Sequence, residues 1–263
     1  MNFSWYGLLI GLAFLMFWHL FESVLLSKKK VAANHINSAI IFTGLGALLG
    51  ARIYHLTTDW PLYQAAPWWK LFAVWQGGLG IFGALLGGGL GLFLWKKTSR
   101  FPLSWSEISD AAALSLPAAQ ALGRWGNFFN QELFGQPSTL PWAIYIRPEN
   151  RPEIWKQFST FHPLFFYESF FSFTLLAFLW FIKKRHSNIF PIGSRFFTSY
   201  YFIGYGSVRF SLELLRYPTP LVFGLTSGQW SSLFLIVIGL LAFPRYFPLQ
   251  WSKHVEKNVS RHL

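Results

Sequence analysis

Three charged residues along one stretch of the chain carry an obvious chemical potential. Arg209, Glu213 and Arg216 stand at i, i+4 and i+7, so a helix there presents arginine, carboxylate and arginine on one face. Upstream, Gly123-Arg124-Trp125-Gly126-Asn127-Phe128-Phe129-Asn130-Gln131-Glu132 gathers amide and charged side chains among aromatics, more than a helix cap requires. Arg124 and Asn127 share a face if a helix continues through them. Guanidinium is a planar fork suited to phosphate oxygens, and partial burial strengthens that pairing. The chemistry these residues suggest is the holding of a phosphate. The plainer reading, internal ion pairs that tie helix ends together, stays open for Glu213 and its arginines. Arg52 is likewise open between a ligand contact and interfacial snorkelling.

The elements that must position these residues are membrane spans. Of 263 residues, 53% are hydrophobic, 21% aromatic and 12% charged, with mean hydropathy +0.35. A soluble domain carries roughly a quarter charged residues, and this much apolar surface suits a bilayer better than a soluble core. Seven apolar runs are expected to span: roughly 5–26, 37–56, 78–95, 108–123, 163–182, 196–215 and 231–243. The expected fold is therefore an all-α membrane bundle of about seven helices, a single domain over 1–263. A small extracytoplasmic head, 124–162, is inserted between helices four and five.

Net charge is +12, yet the cations argue against nucleic acid as a partner. Lys28-Lys29-Lys30, Lys96-Lys97 with Arg100, Lys183-Lys184-Arg185 and the tail (Arg245, Lys253, Lys257, Arg261) follow alternate apolar runs, as cytoplasmic loops do. This puts the N-terminus outside and the C-terminus in the cytoplasm, with an uncleaved first helix. Trp60, Trp68, Trp69 and Trp75 then lie in an external loop at headgroup level. The orientation also brings Arg52, Arg124, Arg209, Glu213 and Arg216 to one outer depth, along with Tyr6, His162, Tyr167 and Glu168. Random snorkelling would populate both helix ends. Charges at such positions are expensive and mark function, so the residues alone lead to an external anionic-phospholipid site.

Gly78-Leu79-Gly80-Ile81-Phe82-Gly83 matches a dinucleotide-binding string, but that use needs a βαβ unit. Gly83, Gly87 and Gly91, like Gly46 and Gly50, recur every four residues, which favours close helix packing in lipid; a local break near Gly77–Gly78 is the alternative. The chain has no cysteine, which excludes zinc–thiolate sites and a cysteine nucleophile. No metal or cofactor is expected. A non-catalytic lipid transporter or anion channel is the rival class, although a midplane site and repeat symmetry are not evident.

The string GRWGNFFNQELFG at 123–135 closely resembles the signature of bacterial prolipoprotein diacylglyceryl transferases. Ordered matches extend the likeness over nearly the whole chain. They are Trp5-Tyr6-Gly7, Gly50-Ala51-Arg52, Trp75-Gln76-Gly77-Gly78, His162-Pro163 with Tyr167-Glu168, Tyr205-Gly206 leading to Arg209, Glu213 and Arg216, and Thr226-Ser227-Gly228-Gln229. The resemblance implies an enzyme of the bacterial plasma membrane. It would move the diacylglyceryl group of phosphatidylglycerol onto the lipobox cysteine of a preprolipoprotein, releasing glycerol phosphate.

On that footing Arg124 and Arg209 are expected to hold the phosphate, with Asn127 and Asn130 supplying hydrogen bonds and Glu213 orienting an arginine. Glu132 would order the head or bind glycerol hydroxyls, and Tyr6 and Tyr205 would donate to lipid oxygens. Gly135, Arg52 and Arg216 complete the expected binding set. Some family members carry a histidine, discussed as the base, where this chain has Phe82. Either the arginine field activates the thiol or another group serves; His162 is the candidate, unless it only caps a helix entrance.

Overall fold

The computed structural model describes residues 5–27, 32–64, 66–74, 77–99, 102–216 and 221–244. The Lys28–Lys30 cluster, Trp75, Gln76, Arg100 and the basic tail lie outside them. The described chain is mostly helical: α1 (Trp5–Leu26), α2 (Ala33–Thr58), α3 (Ile81–Ser99), α4 (Trp105–Asn130), α5 (Leu164–His186), α6 (Phe196–Glu213) and α7 (Ser227–Ala242). Helices α1, α2 and α5 are long and apolar enough to cross a membrane; α7 is apolar but shorter. Two short antiparallel strands, β1 (Ile144–Tyr145) and β2 (Thr160–Phe161), lie between α4 and α5.

Contacts divide the chain into two compact units. The first, residues 25–103, is dominated by α2 packed on α3. A Cβ added at Gly46, Gly50, Gly83, Gly87 or Gly91 would collide with the facing backbone, so glycine lets the two helices touch main chain to main chain. The packing expectation holds, and so does the break. Gly77 and Gly78 have φ of 88° and 72°, a region glycine enters freely, and α3 starts only at Ile81.

The second unit joins residues up to Val24 with those from Ser104 onward. Here α4 packs on α5 and α6, α5 on α6, and α6 on α7. A capping box between Ser104 and Glu107 starts α4, satisfying two orphan N–H groups. The helix accommodates Pro117 and continues to Asn130, beyond the expected stop at Gly123, with a buried face that runs on through Gly126 and Asn127. It closes with Gln131 left-handed at φ 51° and paired bonds from Gln131 N to Phe128 O and from Glu132 N to Asn127 O, a Schellman end. The irregular insertion therefore begins at Gln131. Ile146, Trp155 and Phe161 form its core, with Phe134 and Ile144 against them.

The start of α6 is held from another helix. Asp110 of α4 is fully buried, and its carboxylate accepts from the backbone N–H of Gly193, Arg195 and Thr198 and from the Thr198 hydroxyl, at 2.7–3.0 Å. The orphan donors of a helix N-terminus attract an anion in this way. Fixing that end sets the rotation of α6, and with it the direction in which its polar face points.

Candidate active site

The site grows from the polar face of α6. Tyr201, Tyr205, Arg209 and Glu213 recur every four residues and so lie in line along the helix; the rings of Tyr201 and Tyr205 stack at 5.8 Å. Facing this line is Glu168, in the second turn of α5 and the only acidic residue of that helix. Its Oε1 pairs with Arg124 at 2.5 Å and accepts from the Tyr205 hydroxyl at 3.1 Å. Its Oε2 accepts from Arg209 at 3.1 Å. One carboxylate thus joins α4, α5 and α6.

A second carboxylate extends the network to α7. Glu213 Oε2 accepts from Arg209 at 3.4 Å and from Arg216 at 3.2 Å, and its Oε1 accepts from Thr226 at 3.2 Å. Thr226 is also the N-cap of α7, in a capping box with Gln229. Gly228 leaves the space the carboxylate occupies, since a Cβ there would collide with Glu213. The Thr-Ser-Gly-Gln segment therefore caps a helix and seats a carboxylate at once.

Burial separates the two signs. The side chains of Glu168 and Glu213 are each 3% exposed, whereas Arg124, Arg209 and Arg216 are 25%, 20% and 30% exposed. The anions lie at the back and the cations in front. Among the described residues of this network, three guanidiniums stand against two carboxylates, leaving one positive charge. Such a surface receives an anion with planar oxygen pairs.

The α4 terminus supplies neutral groups beside it. Asn127, 6% exposed, donates to Glu132 Oε1 at 2.8 Å, and Asn130 approaches the same oxygen at 3.5 Å. Tyr6 of α1 packs on Gly126, where an added Cβ would fall 2.9 Å from its ring. Gly135 donates its N–H to the His162 carbonyl at 2.8 Å. A Cβ there would lie 2.6 Å from the Leu215 carbonyl and 3.0 Å from the His162 Cβ. Gly135 thus lies between His162 and the Leu215 carbonyl, just past the end of α6.

The sequence model of the prolipoprotein diacylglyceryl transferase family matches residues 1–244. This chain belongs to that family. Among its relatives, the phosphatidylglycerol–prolipoprotein diacylglyceryl transferase of Gloeobacter violaceus is 39% identical over 89% of this chain and 85% of its own length. The protein of the same name from Synechococcus elongatus is 34% identical over 96% and 86%, and that from Thermotoga maritima 32% over 91% and 79%. Family membership and the apolar helices make this a bacterial membrane protein and a transferase of the prolipoprotein diacylglyceryl class.

Within this family member the expected residues divide clearly. Arg124, Arg209, Glu213, Arg216 and Tyr205 form one continuous network, with Asn127, Asn130 and Glu132 forming another at the α4 end. Glu168 is the hub that sequence reasoning left without a role; a lone acid in an apolar helix was the available signal. Arg52 belongs to the α2–α3 unit. It donates to the carbonyls of Leu71, Gly77 and Gly78 at 2.9–3.0 Å and to that of Lys70, with its guanidinium over the Tyr63 ring. Those contacts pin the segment that leads into α3. Phe82 is 62% exposed and touches Tyr54, and its ring has no proton-accepting atom.

Proposed function

We propose that the chain catalyses transfer of the diacylglyceryl group from phosphatidylglycerol to the lipobox cysteine thiol of preprolipoproteins, at the outer face of the bacterial plasma membrane. All seven helices span, with the N-terminus outside and the C-terminus cytoplasmic, and residues 131–162 form the external head. The observation that carries this reading is the arginine front of the α4–α5–α6–α7 network, one net positive charge backed by buried carboxylates. That balance matches a phosphodiester, which carries one negative charge.

In the reaction the sulfur–carbon bond forms at the glyceryl carbon while the carbon–oxygen bond to phosphate breaks. The electron pair leaves with that oxygen, and glycerol phosphate departs. Its phosphate approaches a second negative charge, so guanidinium donors bind it more strongly than the diester, the differential that lowers a barrier. Arg124 and Arg209 hold the phosphate, and Glu168 positions both. Arg216 and Glu213 close the network toward the head, while Asn127, Asn130, Glu132, Tyr6 and Gly135 shape the pocket for the glycerol and peptide. Arg52 orders the approach to α3.

All four oxygens of Glu168 and Glu213 already accept hydrogen bonds, so neither carboxylate is offered to the thiol. A free thiol ionises near ~8.5, and a positive field favours its thiolate. The thiol proton ends on the departing phosphate, whose second ionisation lies near ~6. The test is Arg124→Ala: lipoprotein modification should vanish while the protein still accumulates in the membrane. Normal modification in that variant would overturn the assignment.

A further inference from the structure

We propose that His162 acts through an Nε2–H donor aimed at a phosphate oxygen of the lipid, held in that tautomer by Tyr167 and Trp142, and is not the base that takes the thiol proton. This rests on the diacylglyceryl transfer reading and adds two positioning residues to it. An indole N–H can only donate, and a phenol has one hydrogen to give. Trp142 Nε1 donates to the Tyr167 hydroxyl at 2.7 Å. The same hydroxyl lies 3.1 Å from His162 Nδ1.

Two arrangements are open to this relay: the tyrosine hydrogen points at Nδ1 and leaves Nε2–H free, or Nδ1–H donates to Tyr167 and leaves the phenolic hydrogen free. In the first the phenol both accepts from the indole and donates to the ring, and the neutral ring presents Nε2–H to a ligand. The backbone holds the ring's root: His162 N donates to Gln136 O at 3.0 Å, and His162 O accepts from Gly135 and Leu164 at 2.8 and 3.0 Å. Among the described residues no hydrogen bond to Nε2 is seen, and His162 is half-buried. His162 and the Leu215 carbonyl both flank Gly135, and Arg216 follows Leu215 in the chain, so a phosphate held by the arginines is the ligand assigned to this donor.

The test reads tautomer and function separately. In ¹⁵N-histidine-labelled protein in detergent, at a pH where the ring is neutral, the His162 signal should report Nε2–H. Tyr167→Phe should give a mixture of tautomers. Glycerol phosphate should move the Nε2 resonance and a lipobox peptide alone should not. Among activity variants, His162→Ala should lower kcat by about tenfold to a hundredfold, the effect of removing one donor to a developing anion. His162→Gln, whose amide can place an N–H near the Nε2 position, should recover most of that loss. An Nδ1–H tautomer in the wild type, a Gln variant as inactive as Ala, an Ala variant as active as wild type, or a resonance that answers only to peptide would each overturn the proposal. The spectra need no turnover, so they stand even if the transferase reading fails.

Discussion

Replacing Glu168 with Gln tests whether the arginines are held in place or merely present. The carboxylate accepts from Arg124, Arg209 and Tyr205 and is 3% exposed. The amide keeps the shape but turns one oxygen into a donor that must face a guanidinium or a phenol. Removing one partner from a buried ion pair costs about 3–5 kcal/mol, and a single bond to a charged group contributes about 1.5–3 kcal/mol. If about 3 kcal/mol of that appears as lost arginine placement in the transition state, kcat falls by about a hundredfold. The substitution also leaves the front one unit more positive, so the KM for phosphatidylglycerol should not rise in proportion. The assay is initial-rate transfer to a lipobox peptide at varied lipid, with a thermal melt alongside. Glu168→Asp, which keeps the charge on a shorter arm, should fall between. A Gln variant folded and within about threefold of wild-type kcat would refute this, since that corresponds to well under 1 kcal/mol.

Other consequences are separable. Gly50→Ala forces a methyl group into the Gly83 carbonyl and should destabilise the protein by about 1–3 kcal/mol; Gly89→Ala, with open space around it, should be neutral or raise the melting temperature through helix propensity. Asp110→Asn keeps the shape but loses the charge received by four donors at the start of α6; it should lower the melting temperature more than it lowers kcat of the folded fraction. Arg52→Lys replaces a fork by three donors on a point and cannot reproduce its carbonyl set, so protease nicking between α2 and α3 should increase.

Much of the helical order was legible because long apolar runs announce themselves in sequence. The first helix, Trp5–Leu26, has the expected bounds. Arg209 and Glu213 share the α6 face as expected, whereas Arg216 lies beyond the helix end at Glu213 and reaches the same carboxylate from the turn that follows. Boundaries failed where long-range contacts decide them: α4 runs seven residues past its expected end, carrying Arg124 and Asn127 on helical backbone. The roles of Glu168 and Arg52 depended on partners distant in sequence. Glu168 meets arginines 44 residues before and 41 residues after it, and Arg52 meets carbonyls 18 to 26 residues away. Periodicity places a residue on a face and at a depth; it does not say which group stands opposite. Asp110, an acid facing an apolar core, likewise takes its role from a distant element, the start of α6.

The most direct measurement is a mass balance on purified protein given phosphatidylglycerol vesicles and a peptide containing the lipobox cysteine. The peptide should gain one diacylglyceryl group on sulfur while an equal amount of glycerol phosphate appears, and neither should occur with a Cys→Ser peptide or with the Arg124→Ala protein. An unmodified peptide under saturating lipid, or modification that persists without Arg124, would contradict the account.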